Sequence, residues 1–241
     1  MKYIFKEKLI EGLIKSRPNR FIMMVEVNGK VHRCHCPSTG RIGDIEFTDI
    51  SCLLSKAVTP NRSTDFTVEA ISLDSIKKSD KSWIGINQTK ANKYIEFFLK
   101  NNFFPEMLKT NSDIERESRL GNSRIDFKVG NDYLEVKMPL ITLPSNNAPK
   151  KTHSKFDSFD RLIKHFNDLA QSINENSRAI VLLCYIYDAK PFVRPRLDSD
   201  NKKILRAARQ SNKKGVENWQ VNLKIDEEGV SLRKYFSLDL F

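Results

Sequence analysis

A chain of 241 residues with 39% hydrophobic content is long enough for one or two globular domains with a sizeable core. Its 41 basic against 30 acidic residues leave a formal charge of +11, which favours a polyanionic partner, nucleic acid before a membrane surface. No apolar run approaches the ~18 residues of a membrane span, the start MKYIFKEKLIEG lacks a signal peptide's unbroken apolar segment, and four cysteines without a small-domain framework suit reduced thiols, so a cytoplasmic protein is expected.

Residues Tyr3 to Ile14 are apolar with interspersed Lys and Glu, and Arg17-Pro18-Asn19-Arg20-Phe21 follows, where proline stops any helix. FIMMVEV and KVHRCHC flank Asn28-Gly29, which predicts two strands joined by a tight hairpin. In Cys36-Pro37-Ser38-Thr39-Gly40 the hydroxyls of Ser38 and Thr39 and free backbone amides suit a phosphate, though a plain loop has the same composition. His32, Cys34 and Cys36 share one strand face, but structural zinc takes four ligands and only Cys52 is near, so buried thiols are the favoured reading.

From Ile42 to Ile76 the runs IEFTDI, SCLLSKAV and FTVEAISL, broken by Pro60-Asn61-Arg62-Ser63, suit a small antiparallel barrel. Lys77 to Ser82 is polar throughout and marks a boundary, dividing the chain into 1–80 and 81–241. Asn87-Gln88-Thr89 can cap a helix from about Lys90 to Leu99 with Ala91, Ile95, Phe98 and Leu99 on one face, and Asn102-Phe103-Phe104-Pro105 ends it.

Residues 117 to 137 carry the chemistry. Arg124, Asp126 and Lys128 alternate with Ile125, Phe127 and Val129, while Tyr133, Glu135 and Lys137 alternate with Leu134, Val136 and Met138, a pattern of two strands around a Gly130-Asn131 turn. With two turn residues Val129 pairs with Asp132, so Asp126 falls opposite Glu135; an odd-length turn would set Asp126 against Val136. Two converging carboxylates with a lysine further along the same face suit Mg²⁺, a hard ion that takes one or two carboxylates plus water and phosphate oxygens, with Lys137 holding the attacking water or the phosphate. The same acid-x-Lys pattern recurs at Asp188-Ala189-Lys190 and Asp200-Asn201-Lys202, and an exposed strand salt bridge stays open beside the catalytic reading.

Leu143 to Lys151 is a loop by composition, before a helix capped near Asp157 or Ser158 and running to about Ile173. Its apolar stripe is Phe159, Leu162, Ile163, Phe166, Leu169 and Ile173; Arg161, Lys164 and His165 fall on the other face, as a solvated face would. Arg178 to Tyr187 is a near-continuous apolar run typical of a central strand. Pro191 to Arg196 is an extended link, Asp198 or Asp200 caps a basic helix to about Asn212 stopped by Gly215, and Trp219 to Leu223 and Val230 to Leu232 close the sheet around Glu227-Glu228-Gly229.

SRIDF followed by YLEVK resembles the PD-(D/E)XK nuclease superfamily and, within it, the sugar fermentation stimulation protein family. That resemblance implies an N-terminal OB-fold, metal ligands at Glu117, Asp126 and Glu135, and a catalytic Lys137. The family's Arg-x-x-Arg-Phe and Cys-Pro-Asn-Thr-Gly elements are matched by RPNRF and by CPSTG, with Ser38 for Asn; its Asn-Thr pair and later Asn are matched by Asn87 and Asn92, with Gln88 for Thr. Its Arg-Gly-x-Lys-His-Leu element is read as RLIKHF, matching Arg161, Lys164 and His165 but with Leu162 for Gly, and its Phe-Pro-Asp-Ala element is not preserved in LPSNNAP.

The expectation is therefore a mixed α/β protein: a small OB-like barrel, then a nuclease-like domain on a mixed central sheet. It would bind DNA through Arg17, Arg20, Arg33, Ser38, Thr39, Arg124, Arg161, Lys164 and His165, and hydrolyse phosphodiesters with Mg²⁺ or Mn²⁺. The alternative is a sequence-tolerant DNA-binding regulator of sugar metabolism that does not cleave.

Overall fold

The computed structural model describes residues 1–43, 45–57, 62–108, 113–121, 123–140, 143, 159–194 and 202–241, with backbone alone at 159–161. Strand β1 (Lys2–Ile4) opens the chain. Strands β2 (Ile10–Asn19), β3 (Ile22–Val27), β4 (Lys30–His35), β5 (Ile50–Lys56) and β6 (Phe66–Ser72) form antiparallel ladders in the order β4-β3-β2-β5-β6. Parallel pairing of Cys34 with Phe66 and His35 with Thr67 joins β4 to β6 and closes a five-stranded, OB-like barrel. Closure removes the open edges that a five-stranded sheet would otherwise expose.

Local chemistry explains the strands. Asn28 and Gly29 take φ of 50° and 77°, the left-handed pair whose twist matches the flanking β3 and β4. Pro18 lies inside β2 rather than beyond a helix end; register shifts between Ile14 and Asn19 open the ladder where the missing N–H would fall. The run IEFTDI is not a strand up to its last residue, because Asp49 turns to a φ of +54° and β5 begins only at Ile50. The break expected at Pro60-Asn61 lies outside the described residues.

The second half supplies α1 (Gln88–Lys100), β8 (Ile114–Leu120), β9 (Ser123–Val129), β10 (Asp132–Lys137), α2 (Phe159–Ser172), β11 (Ala179–Tyr185), α3 (Lys202–Lys213), β12 (Glu217–Ile225) and β13 (Gly229–Ser237), after a short β7 (Ile84–Gly85). Seven strands form a mixed sheet ordered β1-β13-β12-β11-β10-β9-β8, parallel at β10-β11 and β11-β12 and antiparallel elsewhere. Strand β11 is central and all seven of its residues are buried, as its unbroken apolar sequence requires. One face, with Val181 and Leu183, packs with Phe166 and Leu169 of α2 and Ala207 of α3; the other, with Ile180 and Leu182, packs with Ile95 and Phe98 of α1. The capping residues expected at 157, 158, 198 and 200, and the loop at 144–151, lie outside the described residues.

The two sheets interleave along the chain. β1 pairs with β13, whereas β7 pairs with β6. At this junction the Gly85 N–H donates to the Ile186 carbonyl (2.9 Å), and a Cβ on Gly85 would collide with the Ile186 side chain. Among the described residues no helix is long and apolar enough to cross a membrane.

Candidate active site

The two-residue turn sets β9 against β10 as the alternation requires: Asp132 pairs with Val129, Tyr133 with Lys128 and Leu134 with Phe127. The ladder then gives way at Asp126. Its Oδ2 accepts the Val136 N–H (2.8 Å), and its own N–H donates to Glu135 Oε2 (3.3 Å), so a carboxylate stands where a backbone carbonyl would continue the pairing. Asp126 and Glu135 are thereby held together in the sheet.

Each carboxylate is fixed from a different helix. Asn92 of α1 donates its side-chain amide to Asp126 Oδ1 (2.7 Å). His165 of α2 places Nδ1 2.5 Å from Glu135 Oε1, and Lys137 Nζ lies 2.5 Å from the same oxygen. Burial pushes Glu135 up, but the hydrogen bond from His165 and the charge of Lys137 outweigh it and hold the carboxyl below its ordinary value. Glu135 is thus a carboxylate, an acceptor only, and Nδ1 of His165 must donate. Asp126 goes the other way: burial and then the Glu135 charge raise it, more than the Val136, Asn92 and Lys137 contacts lower it.

Glu117 stands in the same cross-strand row. Its neighbours Arg116 and Ser118 pair with Phe127 and Ile125, on either side of Asp126. A φ of +49° turns Glu117 out of strand geometry, and its exposed carboxylate lies 3.5 Å from exposed Arg124. Among the described residues no group of three or more His, Cys, Asp or Glu side chains is gathered to hold a metal ion. The two inner carboxylates nevertheless suit a hard divalent cation, since burial and then the Glu135 charge raise Asp126, a cost that such an ion would relieve.

The barrel residues are placed otherwise. Arg17 donates to the Ser38 carbonyl (2.9 Å) and lies over the Phe47 ring, holding the 38–40 turn instead of facing outward. Ser38 is buried with its hydroxyl on the Ile86 carbonyl, whereas Thr39, Arg20 and Arg33 are exposed, Arg20 over the Phe21 ring. Lys164 is exposed; His165, assigned by its helical position to a solvated face, is 4% exposed and faces Glu135. The Arg161 side chain lies outside what the structure describes. Cys34, Cys36 and Cys52 are buried thiols, and His32 Nδ1 sits 2.9 Å from Asp65.

The sequence offers Asn92 only as a match to a family element, without a role, and gives Glu69 none. Asn92 borders the apolar stripe of α1, and periodicity alone cannot tell a site-facing neighbour from a solvated one. Glu69 is a lone acid inside the apolar run of β6, 1% exposed, and it accepts from Asn87 (2.8 Å), Lys90 (2.6 Å) and Ser55 (2.5 Å). That isolated acid was the available signal.

A family model described as the SfsA N-terminal OB domain matches residues 16–86, and one described as the sugar fermentation stimulation protein RE domain matches 89–229. The sugar fermentation stimulation protein homolog of Clostridium tetani is 32% identical over 237 residues, covering 96% of this chain and 97% of that one. The Clostridium novyi homolog is 31% identical over 227 residues, covering 90% and 91%. A solved structure of Pyrococcus furiosus SfsA in complex with Ca²⁺ shares the fold at a TM-score of 0.75, with 16% identity and full coverage of both chains. With models matching both halves and near full-length relatives above 30% identity, the chain belongs to the sugar fermentation stimulation protein family.

Proposed function

We propose that this protein binds nucleic acid and hydrolyses phosphodiester bonds with Mg²⁺ or Mn²⁺ at Asp126 and Glu135. The observation that carries the reading is the convergence of two carboxylates, Lys137, His165 and Asn92 from two strands and two helices on one point of the sheet. An OB-like barrel in the same chain supports a nucleic-acid substrate, since barrels of this kind bind oligonucleotides.

Asp126 and Glu135 would hold the cation, and Asn92 and His165 orient them. When bound, the cation would polarise a phosphoryl oxygen and lower the pKa of its water. Lys137, about one third exposed, donates to Glu135 and can turn its remaining protons to the phosphate or the attacking water. The metal-bound solved relative carries Ca²⁺, another hard oxygen-seeking ion.

A second reading, binding without cleavage, is favoured by one observation. Glu135 Oε1 already accepts from Lys137 and His165, and Glu117 is turned to Arg124, so three carboxylates do not converge. Incubation with linear, circular and single-stranded DNA and with RNA, in Mg²⁺, Mn²⁺ or chelator, decides between them. Cleavage products that require the metal and vanish in Glu135→Gln support hydrolysis; retained binding without products in any metal leaves the regulator.

A further inference from the structure

We infer that the outer face of α3 is a docking surface for the sugar-phosphate backbone of nucleic acid, a partner assignment that rests on the nucleic-acid half of the function proposed above. The helix reads KKILRAARQSNK and contains no acidic residue. At about 100° per residue, Lys202, Arg206, Arg209 and Lys213 fall within roughly 60° of one another, and Lys203 and Lys214 extend the stripe on one side. All six are exposed. Ala207 and Ser211 are buried on the opposite side, where Ile204 and Ala208 also pack against the core, and Leu205 is buried at the edge of the stripe.

Such a stripe is costly to the helix that bears it. Lys202 and Arg206, Arg206 and Arg209, and Arg209 and Lys213 are neighbours at i,i+3 or i,i+4, where like charges destabilise by about 0.2–0.5 kcal/mol per pair. Helix α1 shows the usual remedy, with Lys100 paired to Glu96 at 2.7 Å. Among the described residues no such ion pair serves the six cations of α3. A ligand that supplies the negative charge relieves the repulsion.

The chemistry selects the backbone of a nucleic acid. The four central cations span about 16 Å of helix axis, a length of duplex carrying on the order of ten phosphates. A membrane surface would also offer negative charge, but an interfacial helix needs an outward apolar face, and the apolar residues of α3 are turned into the protein. Position agrees as well. α3 packs on α2, whose His165 reaches Glu135, so the stripe lies on the side of the sheet from which Glu135 is held.

The test compares wild type, a K202Q/R206Q/R209Q/K213Q variant, and a control of equal charge change on exposed residues elsewhere, K77Q/K100Q/K224Q/R233Q. Binding to fluorescent duplex and single-stranded oligonucleotides is measured across a salt series. Wild-type affinity should fall steeply with salt, and the α3 variant should bind on the order of a hundredfold more weakly at 100 mM salt. Its slope of log K against log salt should be shallower by about 3–4, with little change in the control. The α3 variant should melt no earlier than wild type, because it loses only repulsion. If it does melt early, R206Q and R209Q singly carry the test, each lowering the slope by about 0.9. Unchanged binding by the α3 variant, or equal losses in variant and control, overturns the assignment while leaving the nucleic-acid reading in place. Absence of wild-type binding to any oligonucleotide overturns both, as does binding only to phosphatidylserine vesicles.

Discussion

Glu135 gathers two donors on a single oxygen, and the residues that supply them have separable roles. If Lys137 stabilises charge that develops on the phosphate, its effect belongs to the transition state and not to ground-state binding. Lys137→Ala should lower single-turnover cleavage by on the order of a hundredfold or more while nucleic-acid affinity changes little. Unchanged cleavage would return Lys137 to a strand salt bridge. His165 acts through Glu135, so His165→Ala should weaken metal affinity by about 10–100-fold, seen by titrating Mn²⁺ into the cleavage reaction. Full activity at saturating metal in that variant marks a positioning residue; loss at every metal concentration would give it a direct role. The pairing of Val129 with Asp132 through Phe127 with Leu134 was legible because a two-residue turn leaves one register, and it brings Asp126 beside Glu135, though there side-chain contacts replace the ladder. The outward turn of Glu117 was not, because nothing in SRLGN announces a glutamate at φ +49°. Periodicity puts His165 on the solvated face and only the RLIKHF resemblance makes it a site residue, because a helix's own pattern does not reveal a carboxylate on a neighbouring strand.

Among the elements, β6 and α1 are tied by one buried group. Glu69 accepts from Ser55 within the barrel and from Asn87 and Lys90 at the start of α1, and α1 in turn brings Asn92 to Asp126. Glu69→Leu would leave the Asn87 amide and the Lys90 ammonium without their acceptor. With Lys90 one third exposed, water softens the loss, and about 2–3 kcal/mol is the expected cost, a fall in melting temperature of roughly 4–12 °C for a chain of this size. Glu69→Gln retains an acceptor oxygen and should lose less. Equal, negligible shifts in both variants would show that the tie contributes nothing. The hairpins β3-β4 and β9-β10 could be read from their alternation and from the Asn-Gly and Gly-Asn turns, whereas β2, which runs through Pro18 without such a turn signal, and β8 are not read as strands. β1 and β7 could not be, since strands of three and two residues carry no period and exist by pairing with β13 and β6. Ser38 belongs with them: its bond to the Ile86 carbonyl joins segments 48 residues apart.

For the molecule as a whole, a divalent cation at Asp126 and Glu135 must appear in the stability of the fold. An ion that binds the folded chain alone stabilises it by about 2.7 kcal/mol at a hundred times its dissociation constant, a rise in melting temperature of roughly 5–10 °C. Wild type should show that rise in Mn²⁺ and lose it in chelator. Asp126 adds a sign that nonspecific ion binding would not reproduce. Its carboxyl is raised in the folded state, so its protonated form stabilises the fold at low pH, and that contribution is lost as pH rises through the folded value. Above that folded value the ionised group is therefore a net burden without metal. Asp126→Asn removes the charge, keeps an oxygen for the Val136 N–H and can donate its amide to Asn92 once that side chain turns its oxygen inward, so it should melt above metal-free wild type yet show no rise with Mn²⁺. Glu117→Ala should keep the rise if the two inner carboxylates suffice, and lose it if Glu117 swings in to join them. An equal Mn²⁺ shift in wild type and Asp126→Asn would place the ion elsewhere and remove the metal from the proposed chemistry.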